Sequence, residues 1–176
     1  MFSTPSVNLT QFHIEPGMVV ADLGCGSGAY VFEILQRVGP TGKVIALDVQ
    51  KPLVEKLANE CKKRHIPNVT VLWDDLDDAD GIALRDSSID RVVIANTLFQ
   101  IEDVQKFATE VRRILRPRGL ALVIDWSDSF GGLGPTPQTV MKKDRALEIF
   151  QKAGLEFKKD VNAGDHHYGF VVQCNP

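Results

Sequence analysis

The chain has 176 residues, 44% of them apolar and 24% charged, which is the composition of one globular domain with a full core and argues against disorder away from the ends. Its net charge of −3 gives no general attraction for phosphate backbones, and no apolar run approaches the ~20 residues of a membrane span, so nucleic-acid binding and membrane insertion are both disfavoured. Three cysteines without C-x-x-C spacing (Cys25, Cys61 and Cys174) suggest neither a disulfide framework nor a zinc site, and the first residues lack a secretory pattern, so the expected compartment is the cytoplasm.

Residues 1–176 are expected to form a single domain, in which 1–16 are a short lead-in and 17–176 the core. The lead-in carries scattered apolar residues (Phe2, Val7, Leu9, Phe12, Ile14), enough for a short helix or an extended segment, and Pro16-Gly17 ends it. Val19 to Leu23 then read as a buried strand that breaks into Gly24, Gly26 and Gly28 before a helix. Glycines there can take positive φ and let a ligand lie on bare backbone, next to the free N–H groups of a helix start. The run Gly24-Cys25-Gly26-Ser27-Gly28-Ala29 also satisfies the loose dinucleotide pattern. Asp22 argues otherwise, because a carboxylate two residues before the first glycine repels a pyrophosphate and attracts a cation.

Val31, Ile34, Leu35 and Val38 make one helix face, stopped by Gly39-Pro40. Lys43 to Asp48 is a second strand, ending in an acid 24 residues after Gly24, where nucleoside-binding α/β folds place a carboxylate that accepts from both ribose hydroxyls. Val49, next in the chain, suits either an adenine face or plain packing. Leu53, Val54, Leu57, Ala58 and Cys61 form an amphipathic helix, and Val69 to Trp73 a third strand followed by Asp74-Asp75-Leu76. Residues 77–88 read as an acidic, solvated loop rather than a metal cluster, so no metal is expected.

Ile89 to Asn96 is the fourth strand, with Thr97 to Gln100 at its mouth. A helix over Val104 to Leu115 is closed by Arg116-Pro117-Arg118-Gly119, and Leu120 to Asp125 is the fifth strand. Residues 126–137 are rich in glycine and proline and form either a lid or a connector. Val140, Met141, Ala146, Leu147 and Phe150 suggest the last helix, stopped at Gly154. Leu155 to Val161 and Tyr168 to Cys174 are strands joined as a hairpin through residues 162–167. The alternation implies a mostly parallel sheet with helices on both faces and one antiparallel strand.

The stretch from Asp22 to Gly28 resembles motif I of the class I S-adenosylmethionine-dependent methyltransferases: an acid, a spacer, then Gly-x-Gly-x-Gly. The end of the fourth strand resembles their motif IV, and Arg116-Pro117-Arg118-Gly119 is similar to their Leu-x-Pro-Gly-Gly, with Arg118 in place of the first glycine. The resemblance runs from about Met18 to Cys174 and is nearest the small-molecule methyltransferases of ubiquinone and menaquinone biosynthesis, the type 11 group. It implies a Rossmann-like three-layer αβα sandwich whose seven-stranded sheet has the order 3-2-1-4-5-7-6. S-adenosylmethionine would be the cofactor and S-adenosylhomocysteine the product.

The cofactor-binding residues implied are Asp22, Gly24, Cys25, Gly26, Ser27, Gly28, Asp48, Val49, Asp75, Leu76 and Asn96. Asp75 would accept from the adenine amino group and the Leu76 N–H would reach the ring, with Asp74 as the alternative acid; Asn96 would be a neutral amide contact. Segment 77–88 departs from the short Leu-Pro-type segment often found there. The implied strand order also sets His166, His167 and Tyr168 beside Asp125 and Trp126. Asp125, His166, His167 and Tyr168 are therefore candidates for moving the acceptor's proton, against the plainer reading of a polar hairpin tip.

The expected activity is in-line methyl transfer to an unidentified small-molecule acceptor. The alternatives are an NAD(P)-dependent oxidoreductase and a catalytically silent cofactor-binding subunit. The chain has almost no insertion for an acceptor cap, so closing the site would fall to a homo-oligomer, a partner or a large substrate.

Overall fold

Apolar strands alternating with amphipathic helices can bury both faces of a sheet only by placing helices above and below it. The computed structural model, which describes residues 3–132 and 134–175, has that layering. Met1 and Phe2 of the lead-in, Leu133 of the 126–137 loop and Pro176 lie outside the described residues. In chain order the elements are α1 (Pro5–Thr10), β1 (Val19–Leu23), α2 (Ala29–Val38), β2 (Lys43–Asp48), α3 (Lys51–Lys63), β3 (Val69–Trp73) and β4 (Ile89–Ala95). A 3-10 turn (Leu98–Gln100) follows, then α4 (Val104–Ile114), β5 (Leu115–Trp126), α5 (Lys143–Lys152), β6 (Leu155–Val161) and β7 (His167–Cys174).

The sheet order is β3-β2-β1-β4-β5-β7-β6, as the resemblance implied. β7 runs antiparallel to both its neighbours. The remaining pairings are parallel. Strand order reverses between β1 and β4, and the C-terminal ends there part to leave a crevice, the usual ligand position in open α/β sheets.

Each face has its own core. Val31 and Ile34 of α2 and Leu57 and Cys61 of α3 pack with Leu9 of α1 on one side of the sheet. Phe107 and Val111 of α4 and Phe150 of α5 pack with Phe170 and Leu23 on the other. The buried residues of α4, Val104, Phe107, Ala108, Val111 and Ile114, follow helical periodicity, and the Asp103 side chain caps the helix by accepting from the Lys106 N–H at 2.9 Å. No helix among the described residues is long and apolar enough to cross a membrane.

Several boundaries differ from the sequence expectation. The fifth strand begins at Leu115 rather than Leu120: Leu115 pairs with Ile89, residues 116–119 bulge out, and pairing resumes at Leu120 opposite Arg91. Arg118 takes φ +65° in that bulge, the left-handed region for which glycine is the usual choice. The last helix begins at Lys143, because Met141 reaches the core from the preceding irregular segment instead of from a helical turn. β7 starts one residue early, at His167, because that residue still pairs with Trp126. The lead-in is the helical one of its two alternatives, with Pro5 at the helix start, where its missing N–H costs nothing.

Candidate active site

The crevice holds a cavity of about 440 Å³ at the C-terminal ends of β1, β2 and β4. Its floor is the glycine turn, which β2 pins by hydrogen bonds. The N–H groups of Gly24 and Cys25 both donate to the Leu47 carbonyl at 2.9 Å, and the Gly26 N–H donates to Asp48 Oδ2 at 2.8 Å. The other Asp48 oxygen accepts from the Gln50 N–H at 2.8 Å, so one carboxylate fixes the loops after both β1 and β2. Gly24 and Gly26 take φ of +80° and +52°. A Cβ on Gly24 would run into the Thr97 side chain, whose hydroxyl lies 3.2 Å from the Leu23 carbonyl. The loop after β4 thus closes directly on the glycine turn.

Asp22 is 1% exposed, and its Oδ2 has no hydrogen-bond partner among the described residues. Burial, with a smaller contribution from the neighbouring Asp48 charge, pushes its pKa up to about 7. The cavity lining also includes Asp48, Asp75 and Asp77 and, among the described residues, contains no lysine, arginine or histidine. An acidic carboxylate buried without a counter-charge is costly, and a ligand cation would relieve that cost.

Of the residues implied for the cofactor, Asp22, Gly24, Cys25, Gly26, Ser27, Asp48, Val49, Asp75, Leu76 and Asn96 all line this cavity. Gly28 does not. Its φ is +87°, and a Cβ there would strike Leu57, so this glycine lets the turn pack closely on α3. Between the two acids after β3, Asp75 faces the cavity, whereas Asp74 accepts from the Ala83 N–H at 3.0 Å within the following loop. Farther along that loop Asp78 accepts from the Asp80 N–H, and Asp77, which also lines the cavity, accepts from the N–H groups of Glu102 and Asp103 ahead of α4.

The lining also includes Thr97 and Gln100, from the segment expected at the mouth of the site, and residues that sequence reasoning missed, Ser3, Tyr30 and Ile101 among them. Ser3 and Tyr30 are joined through Asn8, a buried amide whose Nδ2 donates to Ser3 Oγ at 2.8 Å and to the Tyr30 hydroxyl oxygen at 2.6 Å. The lead-in is therefore a wall of the cavity. The available signal was Asn8 itself, a polar residue on the same short helix as buried Leu9.

The β5/β7 register sets Asp125 opposite Tyr168 and Trp126 opposite His167, bringing the candidate proton-moving residues to one sheet edge. None of Asp125, His166, His167 or Tyr168 lines the cavity. Neighbouring residues on a strand point to opposite faces, so Asp125 and Tyr168 share one side while His167 lies against Trp126 on the other, ring centroids 4.3 Å apart and planes tilted by 38°. His166 Nδ1 lies 2.9 Å from Asp128, and its ring stacks on Phe130. Asp125 does not orient either histidine; its carboxylate accepts from backbone N–H groups. The Tyr168 hydroxyl is buried beside Asp125, and burial with that charge holds its pKa well above the usual phenol value.

A family model described as a methyltransferase domain matches residues 14–162. Among curated proteins, the chain is 31% identical over 129 residues to a nocamycin O-methyltransferase of Saccharothrix syringae, covering 73% of this chain and 42% of that one. It is 33% identical over 115 residues to a demethylmenaquinone methyltransferase of Lactococcus lactis subsp. lactis, covering 63% of this chain and 43% of that protein. The chain thus spans less than half the length of these two relatives. Among solved structures, a SAM-dependent methyltransferase from Aquifex aeolicus superposes with a TM-score of 0.88 at 29% identity, over 98% of this chain and 90% of that one.

Proposed function

We propose, from the premise that this chain belongs to the methyltransferase-domain family and uses S-adenosylmethionine as its cofactor, that it transfers a methyl group to a small-molecule acceptor. The observation that carries this reading is the Asp22 oxygen that, among the described residues, has no partner, on the floor of a cavity that those residues line with acids and with no basic side chain. When bound, the cofactor supplies a methyl group on a sulfonium for in-line attack by the acceptor, leaving S-adenosylhomocysteine.

The chain's own residues divide the remaining work. Asp22 receives the ammonium of the methionine portion, against the bare backbone of Gly24 to Ser27. Asp48, already ordered by the Gly26 and Gln50 N–H groups, keeps lone pairs free for the ribose hydroxyls. Asp75 and the Leu76 N–H take the base edge, Val49 its face, and Asn96 the amino-acid end. Thr97, Gln100 and Ile101 form the wall nearest the acceptor. Alignment and exclusion of water are then the principal sources of rate. Asp125, His166, His167 and Tyr168 lie outside the lining, and no proton transfer is assigned to them. We read the acceptor as a small molecule from the names of the relatives, the chain as one domain of this kind, and the compartment as the cytoplasm, in keeping with three buried free cysteines.

Isothermal calorimetry with S-adenosylmethionine, S-adenosylhomocysteine and NAD(H) tests the cofactor: binding of the first two and not the third is expected, and binding of NAD(H) alone would overturn the reading. Release of S-adenosylhomocysteine across a panel of phenols, quinols and amines tests the transfer. Tight cofactor binding with no turnover on any acceptor would favour the silent cofactor-binding subunit instead.

A further inference from the structure

The two edges of the sheet are built differently. β6 carries Glu156, Lys158, Lys159 and Asp160, and its register against β7 breaks between Phe157 and Lys159. Charges and a bulge are the usual devices that keep an edge strand from pairing further. β3 has neither. Its residues, Val69-Thr70-Val71-Leu72-Trp73, include no charge and no proline, and among the described residues they pair with β2 alone, in unbroken register.

The outward-facing groups follow from the ladder. Asn68 accepts from the Val44 N–H at 3.0 Å, and the Asp74 N–H donates to the Asp48 carbonyl at 3.2 Å. Residues alternate in a parallel ladder, so Asn68, Thr70, Leu72 and Asp74 turn their backbone groups toward β2, while Val69, Val71 and Trp73 turn theirs away from the sheet. Trp73 is 54% exposed at the end of this edge, with the Lys51 ammonium 4.3 Å from its ring centroid. A charge-free strand with a large exposed ring at its end is a template for another strand.

Charge identifies the occupant. Lys62, Lys63, Arg64 and His65, all exposed, precede β3, and the acids from Asp74 to Asp78 follow it. A second copy laid antiparallel sets the acidic end of each strand against the basic end of the other, whereas a parallel copy sets like against like. We propose that β3 pairs antiparallel with β3 of a second copy of this chain, about a twofold axis at Val71, so that each Val69 lies opposite the partner's Trp73 and the sheet continues across the dimer. Val69, Val71 and Trp73 then exchange their outward N–H and C=O groups in pairs. Because β3 leads directly into Asp75 and Leu76, the interface and one wall of the cavity share a strand.

A five-residue ladder is smaller than the ~1,200 Å² of a stable interface, so association is expected at on the order of 10 μM rather than nanomolar concentration. Sedimentation velocity on the full chain from about 1 to about 200 μM reads it directly. Val71→Pro removes one outward N–H at a position where an edge strand accepts proline. Trp73→Lys adds an edge charge by replacing an exposed side chain, and it decides the matter if the proline variant does not fold. Each variant is expected to weaken dimerisation at least about tenfold while keeping the wild-type circular dichroism. A wild-type chain that stays monomeric throughout, or a dimer that a folded Trp73→Lys variant leaves unchanged, would overturn the proposal.

Discussion

The carboxylate of Asp125, at the end of β5, accepts from the backbone N–H of Leu98 at 2.7 Å and from that of Trp126 at 2.7 Å. It lies at the start of the 3-10 turn whose flanking residues Thr97, Gln100 and Ile101 form a wall of the cavity. Asp125 is fully buried, and burial pushes its pKa up to about 6 even though the surrounding N–H groups pull the other way.

Replacing Asp125 with alanine strands those N–H groups. The expected cost is about 3 kcal/mol of stability, read by urea denaturation, with loosening of residues 97–101 seen as faster amide exchange. Asp125→Asn keeps one acceptor oxygen and is expected to lose about half as much. Equal stability of the alanine variant and the wild type would show that the turn holds itself.

Asp22 is expected to link stability, pH and cofactor binding. Its folded pKa of about 7 lies above the ordinary 3.8, so between those values the folded chain holds more protons than the unfolded one. Stability from this group is therefore fully present below about pH 4, declines as pH rises toward 7 and is then flat. A ligand cation needs the ionised form, so S-adenosylhomocysteine, which keeps the ammonium, should bind more tightly as pH rises from about 6 to about 8. Asp22→Asn should be more stable at pH 8 by about 1–3 kcal/mol yet bind S-adenosylhomocysteine at least about tenfold more weakly. Calorimetry and thermal melts on one preparation read both, and an unchanged Kd would remove Asp22 from the site.

Gly24 and Gly26 separate the two uses of glycine in the turn. Gly26→Ala meets no atom within 4 Å, so its cost is the left-handed backbone alone, about 1 kcal/mol, while it adds a methyl at a residue lining the cavity. Gly24→Ala carries the same backbone cost and also displaces Thr97, for a total of about 3 kcal/mol or more. Melting temperatures should rank wild type, then Gly26→Ala, then Gly24→Ala, with cofactor affinity lost in both variants.

Asn8 ties the first helix to the cavity through Ser3 and Tyr30. Asn8→Ala is expected to cost about 1–3 kcal/mol, because it removes a buried hydrogen-bond donor and leaves the Tyr30 hydroxyl short of a partner. Protection of residues 3–12 from amide exchange should fall, and cofactor dissociation should speed up. A fixed α1 in this variant would mean that Gln11, which exchanges two 2.9 Å hydrogen bonds with the Asn162 backbone, suffices as the tether.

Local pattern carried most of the architecture. The strand around Asp22, the helix faces and the acid ending β2 are written within short windows, because burial on one face imposes a period that neighbouring residues share. Ten of the eleven residues expected at the cofactor lie in the cavity for the same reason, as each sits at a strand end or in the turn that follows. Gly28 departs because positive φ serves a packing contact with Leu57 as readily as a ligand, and the glycine itself does not distinguish the two. The bulge at residues 116–119 was hidden because one isolated pair, Leu115 with Ile89, leaves no periodic trace.

From its residues alone this chain determined an alternating α/β core, a glycine turn guarded by a carboxylate and a nucleoside-type acid one strand later, all consequences of chemistry between near neighbours. Only the tertiary structure decided that Asn8 closes the cavity through Tyr30, that Thr97 abuts Gly24, that Asp125 serves the Leu98 turn rather than a histidine, and that β3 is left as an unguarded edge. Those relationships join residues far apart in the chain or depend on which strand ends the sheet, and their energies arise from burial and contact made only when the whole sheet has assembled.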